Sequence, residues 1–394
     1  MLSPLEVKEL IKLGVSPSEI KRFLDNEETK VESEKIENVD DDKPKRWYEQ
    51  NLCALDEDGL NRLKELEIEN RRSSSSVEHK QLSYLKTMQG LKLEVPEIIK
   101  REVSPKTIYM DLKNFCIDND IPSEIIYSLL PSVVQYIATG YMKPVIIEGE
   151  KGIGKTHSVK LFFNKALGLP VFLIKAQDSG DGKRSLSGDA ATYKMADIGN
   201  LAEARIRNRS LVNIYLVDEI DKSPTDVTRG TCIADELLSL TDESISNFGF
   251  YDQYMQIKLV GLEHSPFIFT CNDINNVNPF LVDRCTVIRF PNPDRIRIES
   301  IIMKYRDKLM IEPLYKSLKC SDDDVLWGIE TLFNRGIYSL RKYKDMLDKA
   351  FHSGLNEFFE QDSDEDEPVT ISRAMFEKAC DEICGTQQKK KVGF

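Results

Sequence analysis

The 394-residue chain contains no run of the ~20 consecutive apolar residues that a membrane span requires. Its first residues, MLSPLEVKELIKLG, have no basic segment followed by an apolar one, so no secretory leader is expected. Histidine is scarce and dispersed, at positions 79, 157, 264 and 352. The eight cysteines form no Cys-x-x-Cys pair. Cys380 and Cys384 stand one helical turn apart, with no neighbouring histidine to complete a zinc set. The expectation is reduced, mostly buried thiols in a cytoplasmic protein. Positive charge is also in deficit: 54 lysines and arginines against 66 acids leave a net charge of −12. That balance disfavours one broad basic face for nucleic acid, although a local patch survives it. With 41% hydrophobic residues the chain can build a real core, which excludes a collagen-like or wholly disordered protein.

The chain reads as three parts. Residues 1–120 form a mainly helical, partly disordered region suited to recruiting a partner. Ser3-Pro4 and Ser16-Pro17-Ser18-Glu19 open two short helices, the second with Ile20, Phe23 and Leu24 on one face. Too few basic residues accompany them for a DNA-binding helix-turn-helix, and a small docking element fits better. Residues 25–42 are rich in acids and read as a solvated linker. A helix is expected over 47–70, then a break at Arg71-Arg72-Ser73-Ser74-Ser75-Ser76, and 80–120 show no clear pattern.

From 121 to 293 the pattern changes. A helix with an internal proline (SEIIYSLLPSVVQYIATG) leads into alternating strands and helices, with strands expected at Val145–Ile147, Val171–Ile174, Ile214–Val217, Phe267–Thr270 and Thr286–Phe290. This is the signature of an α/β domain, a parallel sheet with crossover helices. Over 294–394 the strands stop and amphipathic helices such as Arg295–Met310 and Leu340–Phe351 take over. An acidic run, 362–367, reads as an exposed loop, and Lys389-Lys390-Lys391 as a solvated end.

The strongest chemical signal is Gly149-Glu150-Lys151-Gly152-Ile153-Gly154-Lys155-Thr156, a full G-x-x-x-x-G-K-[ST] phosphate loop. It follows an apolar strand and runs through His157 into a helix with apolar residues at Val159, Phe162, Phe163 and Leu167. Glycines let backbone N–H groups turn onto phosphate oxygens, and the helix N-terminus adds its positive end. In such a loop Lys155 reaches the β- and γ-phosphates of ATP and the Thr156 hydroxyl ligates Mg²⁺. A second strand ends in Ile214-Tyr215-Leu216-Val217-Asp218-Glu219. It presents two acids at the sheet edge where α/β folds hold ligands. Asp218 is then the Mg²⁺ carboxylate and Glu219 the general base for water.

These residues resemble the AAA+ ATPases, and in particular the ATPase module of the Lon proteases, over about residues 140–350. VDEIDK (217–222) is a typical string of that family. Thr228-Arg229-Gly230, Ala234–Leu238, Phe250–Met255, Phe267–Asn272 and Phe280–Ile288 are similar to further Lon segments. The resemblance implies an AAA+ three-layer domain with a C-terminal α-helical lid. It implies Asn272 orienting the lytic water and Arg284 reaching across a subunit boundary in a ring, expected to be a homohexamer. By residue pattern alone, Asn272 also suits a turn beside Asp273, and Arg284 a salt bridge with Asp283.

Thr192-Tyr193-Lys194-Met195 is similar to a substrate-gripping pore loop, with Lys194 where an aliphatic residue is the family pattern. The sensor-2 pattern Gly-x-Arg-x-Leu appears as Gly336-Ile337-Tyr338-Ser339-Leu340. Tyr338 thus replaces the arginine, and Arg341, one turn on, either contacts the nucleotide in its place or caps and pairs on the lid surface. The chain ends at Phe394 without a peptidase domain, so no intrinsic proteolysis is expected. The implied activity is ATP-driven remodelling of a macromolecule, a protein before a nucleic acid, with no membrane partner. Alternatives, in replication, transposition or defence, are a nucleic-acid motor or loader, for which Lys194 and the stretch Arg205, Arg207 and Arg209 are the local support, and an ATP-gated assembly switch.

Overall fold

The computed structural model describes residues 46–72, 75–178, 185–193, 195–223, 232–241, 250–360 and 368–391, with side chains to 385. The helices expected in 1–24, the acidic runs, Lys194 and the Thr228–Gly230 segment lie outside the described residues.

Helices α1 (Glu57–Arg72), α2 (Ser76–Gln89), α3 (Pro105–Asp118) and α4 (Ser123–Thr139) precede the sheet, with one helical turn, Glu97–Lys100, between α2 and α3. There follow β1 (Val145–Glu148), α5 (Lys155–Leu161), β2 (Val171–Lys175), α6 (Asn200–Asn208), β3 (Ile214–Asp218) and α7 (Ile233–Thr241). Then come β4 (Phe250–Asp252), β5 (Ile257–Leu259), β6 (Phe267–Cys271), α8 (Pro279–Arg284) and β7 (Thr286–Arg289). The C-terminal part holds α9 (Arg295–Ile311), β8 (Leu318–Cys320), α10 (Asp322–Asn334), α11 (Leu340–Phe359), β9 (Val369–Ile371) and α12 (Arg373–Lys391).

The main sheet is five-stranded, in the order β2-β3-β6-β1-β7. Every pairing in it is parallel, with Val145 opposite Ile268 on one side and Thr286 on the other. Parallel strands are covered on both faces, so their sequences read as unbroken apolar runs rather than alternating ones. Val145, Ile146 and Ile147 are accordingly all buried. β1 sits between β6 and β7, three places from β2, so the chain leaves it first toward one edge and fills the other last. The crevice at the carboxyl end of such a strand is where open α/β sheets bind ligands.

One apolar core runs from the helices before the sheet into the sheet itself: Leu66, Leu85, Leu112 and Tyr136 belong to it together with Ile146 and Phe269. A second core, with Ile302, Leu332, Tyr343, Phe351 and Phe376, holds the C-terminal lid. The turn after α3 ties α9 down. The Asp120 carboxylate accepts from Ser300 at 3.1 Å and from Lys304 at 2.5 Å, and its backbone oxygen accepts from Arg297 Nε at 3.0 Å.

Three elements differ from their expected form. The helix expected from residue 47 begins at Glu57. Trp47 instead donates its indole N–H to Ile137 O at 3.1 Å, Cys53 bridges to Lys92, and Asp56 caps the helix by accepting from Gly59 N at 2.9 Å. Long-range packing overrides local periodicity there. The stretch 80–120, unreadable by pattern, contains α3, entered through Ser104 as N-cap and Pro105 in the first turn. The expectation that strands stop after 294 is corrected by β8 and β9, a short parallel pair inside the lid.

Candidate nucleotide site

β1 ends at Glu148, and the chain turns through 149–154 into α5. Gly149 donates its N–H to Cys271 O at 3.2 Å, and a Cβ there would lie 2.7 Å from Phe290 O. Gly152 and Gly154 have φ of 84° and 103°, a region that side-chain-bearing residues avoid. Ile153 is fully buried beneath the loop, whereas Glu150, Lys151 and His157 face outward. Burial, with the charges of Lys344 and Lys160, lowers the pKa of His157.

Lys155 is buried at the mouth of this turn. Its ammonium donates to Gly149 O, to Glu150 O at 2.8 Å and to Asn272 Oδ1 at 3.1 Å. Burial lowers its pKa, and the charges of Asp218, Asp221 and Glu219 oppose that shift. The Thr156 hydroxyl donates to Asp218 Oδ1 at 2.8 Å. The five residues expected to carry the chemistry are therefore assembled at one edge of the sheet: Lys155 and Thr156 after β1, Asp218 and Glu219 after β3, and Asn272 after β6.

Glu219 has φ 56° and ψ 50°, the left-handed conformation, which turns the chain sharply as it leaves β3. Its carboxylate pairs with Lys222 Nζ at 2.6 Å, and the hydrogen bond from Lys222 holds its pKa below the ordinary glutamate value.

Two supporting residues escaped the sequence reading. Thr270, buried on β6, donates to Asp218 Oδ1 at 2.5 Å and accepts from Glu219 N at 3.1 Å, so one hydroxyl braces both acids. Asp221 accepts from Asn272 N at 3.2 Å and fixes the end of β6. Both lie inside family-like strings, but nothing in the order of residues says that β3 and β6 are neighbours.

The lid closes on the loop. A Cβ on Gly152 would stand 2.2 Å from Ser339 Oγ and 3.7 Å from Arg341 Cβ, and one on Gly154 would stand 3.5 Å from Leu340. Arg341, in the first turn of α11, is thus beside the phosphate loop. Tyr338 packs its ring edge-on against Phe333, 5.8 Å between centroids.

Two expected site residues are not part of this cluster. Arg284 ends α8, just before β7, whose first residue Thr286 pairs with Val145 at the start of β1. Its backbone therefore lies toward the opposite end of the strands from Lys155. Tyr193 is 70% exposed on the 185–193 segment, and Met195 beyond it is 93% exposed. Of the candidate basic stretch, Arg205 is fully buried beside Tyr215, and Arg207 pairs with Glu203 at 2.5 Å.

Residues 145–292 match the family model for "ATPase family associated with various cellular activities (AAA)". The chain carries an AAA ATPase domain with a parallel central sheet and helical flanking regions. Its curated relatives include Lon proteases. It is 30% identical to the Lon protease of Syntrophus aciditrophicus (strain SB) over 165 residues, 40% of this chain and 20% of the relative. It is 29% identical to the mitochondrial Lon protease homolog of Yarrowia lipolytica over 162 residues, 40% of this chain and 13% of the relative. It is 28% identical to Lon protease 2 of Bdellovibrio bacteriovorus over 206 residues, 50% of this chain and 25% of the relative. The similarity is thus to a Lon-like ATPase module, and the matched stretch spans a quarter or less of these relatives. A solved structure of a Thermotoga maritima RuvB mutant aligns with 73% of each chain at 10% identity and a TM-score of 0.42. Among the described residues no helix is long and apolar enough to cross a membrane.

Proposed function

We propose that this chain hydrolyses ATP in an oligomeric ring and uses the cycle to pull on or remodel a polypeptide. The observation that carries the hydrolytic reading is the convergence of Lys155, Thr156, Asp218, Glu219 and Asn272 on one sheet edge. Lys155 and the loop N–H groups neutralise the β- and γ-phosphate charge. The hydroxyl of Thr156 beside the carboxylate of Asp218 is a hard-oxygen pair that suits Mg²⁺, which takes one or two protein ligands and fills the rest with water and phosphate. When bound, that ion neutralises charge developing on the phosphates. Glu219, held ionised by Lys222, accepts the proton of the attacking water, and Asn272, already hydrogen-bonded to Lys155, orients that water.

Arg284, placed before β7 at the other end of the strands from Lys155, is assigned to a neighbour's site, a role that requires a ring, expected to hold six subunits. Tyr193, with Met195 close by, offers exposed apolar surface for a threaded polypeptide, which the region before the sheet recruits. Burial of Arg205 and pairing of Arg207 with Glu203 leave Arg209 of that stretch, which gives a nucleic-acid reading less support than a polypeptide one.

The test is Glu219→Gln protein, expected to bind ATP without turning it over. Light scattering with ATP and Mg²⁺ should show a shift from monomer or dimer to about six subunits. A variant that hydrolyses normally removes Glu219 as base. A monomer at every nucleotide concentration removes the ring.

A further inference from the structure

The segment 185–199 displays Tyr193 at its exposed end, and its two arms are pinned in an unusually complete way. The arms are joined to each other: Asn200 N donates to Ser185 O at 3.0 Å, and Asp189 N to Asp197 O at 3.1 Å. Gly188 and Gly199 meet backbone to backbone, since a Cβ on Gly199 would lie 2.1 Å from Leu186 O and 2.6 Å from Gly188 N.

Each arm is also held by a buried carboxylate from elsewhere in the fold. Glu236 of α7 accepts from Leu186 N at 2.7 Å, from Ser187 N at 3.1 Å and from the Ser187 hydroxyl. Asp252 of β4 accepts from Gly199 N at 2.9 Å, and its other oxygen accepts from Met255 N at 2.8 Å. Buried carboxylates whose lone pairs are taken up by backbone N–H groups fix a chain path more firmly than surface contacts do.

The third anchor comes from before the sheet. Asp197, near the foot of the second arm, accepts from the Tyr84 hydroxyl at 3.0 Å and pairs with Lys80 Nζ at 3.0 Å, both on α2. The same helix grips the hairpin that carries Asp252. Gln81, buried, donates to Tyr254 O at 2.5 Å, Tyr84 packs edge-on to the Tyr254 ring, and Lys80 lies over both rings. α2 therefore touches the loop directly at Asp197 and indirectly through β4–β5. Glu236 and Asp252 are sealed inside the nucleotide domain, whereas the Lys80 side chain is 42% exposed at its junction with the loop.

We infer that α2, through Lys80, Tyr84 and Gln81, positions the 185–199 segment, so that the region before the sheet sets the geometry of the Tyr193 tip. A partner that shifts α2 would move the tip without disturbing the phosphate site. The use of the tip on polypeptide rests on the function proposed above, but its anchoring does not. Lys80 and Tyr84 are positioning residues.

The test uses the full chain with Lys80→Met and Tyr84→Phe combined. Hydrogen exchange of peptides covering 185–199 should be at least tenfold faster, with the sheet peptides 145–148 and 214–218 unchanged. Lys80→Arg with native Tyr84 should keep native protection. Native protection of 185–199 in the double variant overturns the inference, as does equal loosening of the sheet.

A second measurement follows the binding of fluorescein-labelled casein, as an unfolded polypeptide, to Glu219→Gln protein with ATP. The double variant should weaken that binding at least threefold while ATP affinity stays within twofold. If exchange changes as expected but no form binds casein, the positioning role stands and the polypeptide-gripping reading falls.

Discussion

The Thr156 hydroxyl and the Thr270 hydroxyl donate to the same oxygen of Asp218, at 2.8 and 2.5 Å. The carboxylate proposed to hold Mg²⁺ is thereby oriented by the phosphate-loop helix on one side and by the neighbouring strand on the other. Thr270→Val keeps the shape and removes the hydroxyl, leaving Asp218 held by Thr156 alone and Glu219 N without its acceptor. A hydrogen bond of this kind is worth about 0.5–1.5 kcal/mol, so kcat should fall by up to about tenfold. ATP affinity, measured by titration calorimetry, should change less than twofold. An unchanged kcat would mean that β6 does not position the acids.

The Lys222 ammonium is the leading cause of the depressed Glu219 pKa. A base must be ionised, so the rate falls only as pH drops through that lowered value. Lys222→Met should raise the Glu219 pKa and move the acid limb of the pH–rate profile upward. A limb that stays in place would show that the pair does not govern the base.

Gly152 meets two constraints, a left-handed φ of 84° and contact with the lid at Ser339. Gly152→Ala should cost about 1–2 kcal/mol in backbone strain alone, with further loss from the clash with the Ser339 hydroxyl. Nucleotide affinity should weaken at least tenfold. Adding Ser339→Ala should recover part of the loss, the part due to the lid. No recovery would place the whole effect in the backbone.

Arg284 and Lys155 stand at opposite ends of the strands. Arg284→Ala and Lys155→Ala proteins should each be inactive in hydrolysis. Mixed, they should regain a measurable fraction, because a subunit with native Lys155 can be completed by a neighbour with native Arg284. Mixing without rescue counts against an arginine that acts across subunits.

Burial raises the pKa of Asp252 from 3.8 to about 6, against the backbone hydrogen bonds that lower it. The folded state therefore holds a proton on Asp252 more tightly than the unfolded state does. Stability from this group is present at low pH and is lost as pH rises through the window from about 4 to 6. The shift corresponds to at most about 3 kcal/mol at ~1.36 kcal/mol per pKa unit. The difference in unfolding free energy between native protein and Asp252→Asn should decline across that window and level off above it. Denaturant melts at several pH values would show this, and a flat difference would mean that Asp252 titrates normally.

Much of the nucleotide site was legible because its chemistry is local. A glycine turn between an apolar strand and a helix, and a strand ending in two acids, each state their geometry in consecutive residues. Arg341 lies beside the phosphate loop and Tyr193 is exposed, placements that the resemblance and not the local pattern pointed to. Thr270 and Asp221 were invisible because their roles exist only between strands distant in the chain. The helices of 80–120 bury one face each, Leu82, Leu85 and Met88 on α2 and Ile108, Leu112 and Cys116 on α3, but exposed apolar residues such as Met110 and Ile117 blur that spacing in the sequence.

The order of residues by itself determined which groups can bind phosphate and metal and accept a proton, because G-x-x-x-x-G-K-T and a terminal Asp-Glu carry that chemistry at fixed spacing. It also determined the five main strands, whose apolar runs can be buried only inside a covered parallel sheet. The tertiary structure decided the rest. The order β2-β3-β6-β1-β7 brought Asn272 to Lys155 and Thr270 to Asp218, and it set Arg284 at the far end of the strands. The packing of residues 47–139 into the sheet's own core put Lys80 and Tyr84 against Asp197. Contacts of that kind depend on which strand lies beside which, and long-range burial settles that where local preference does not.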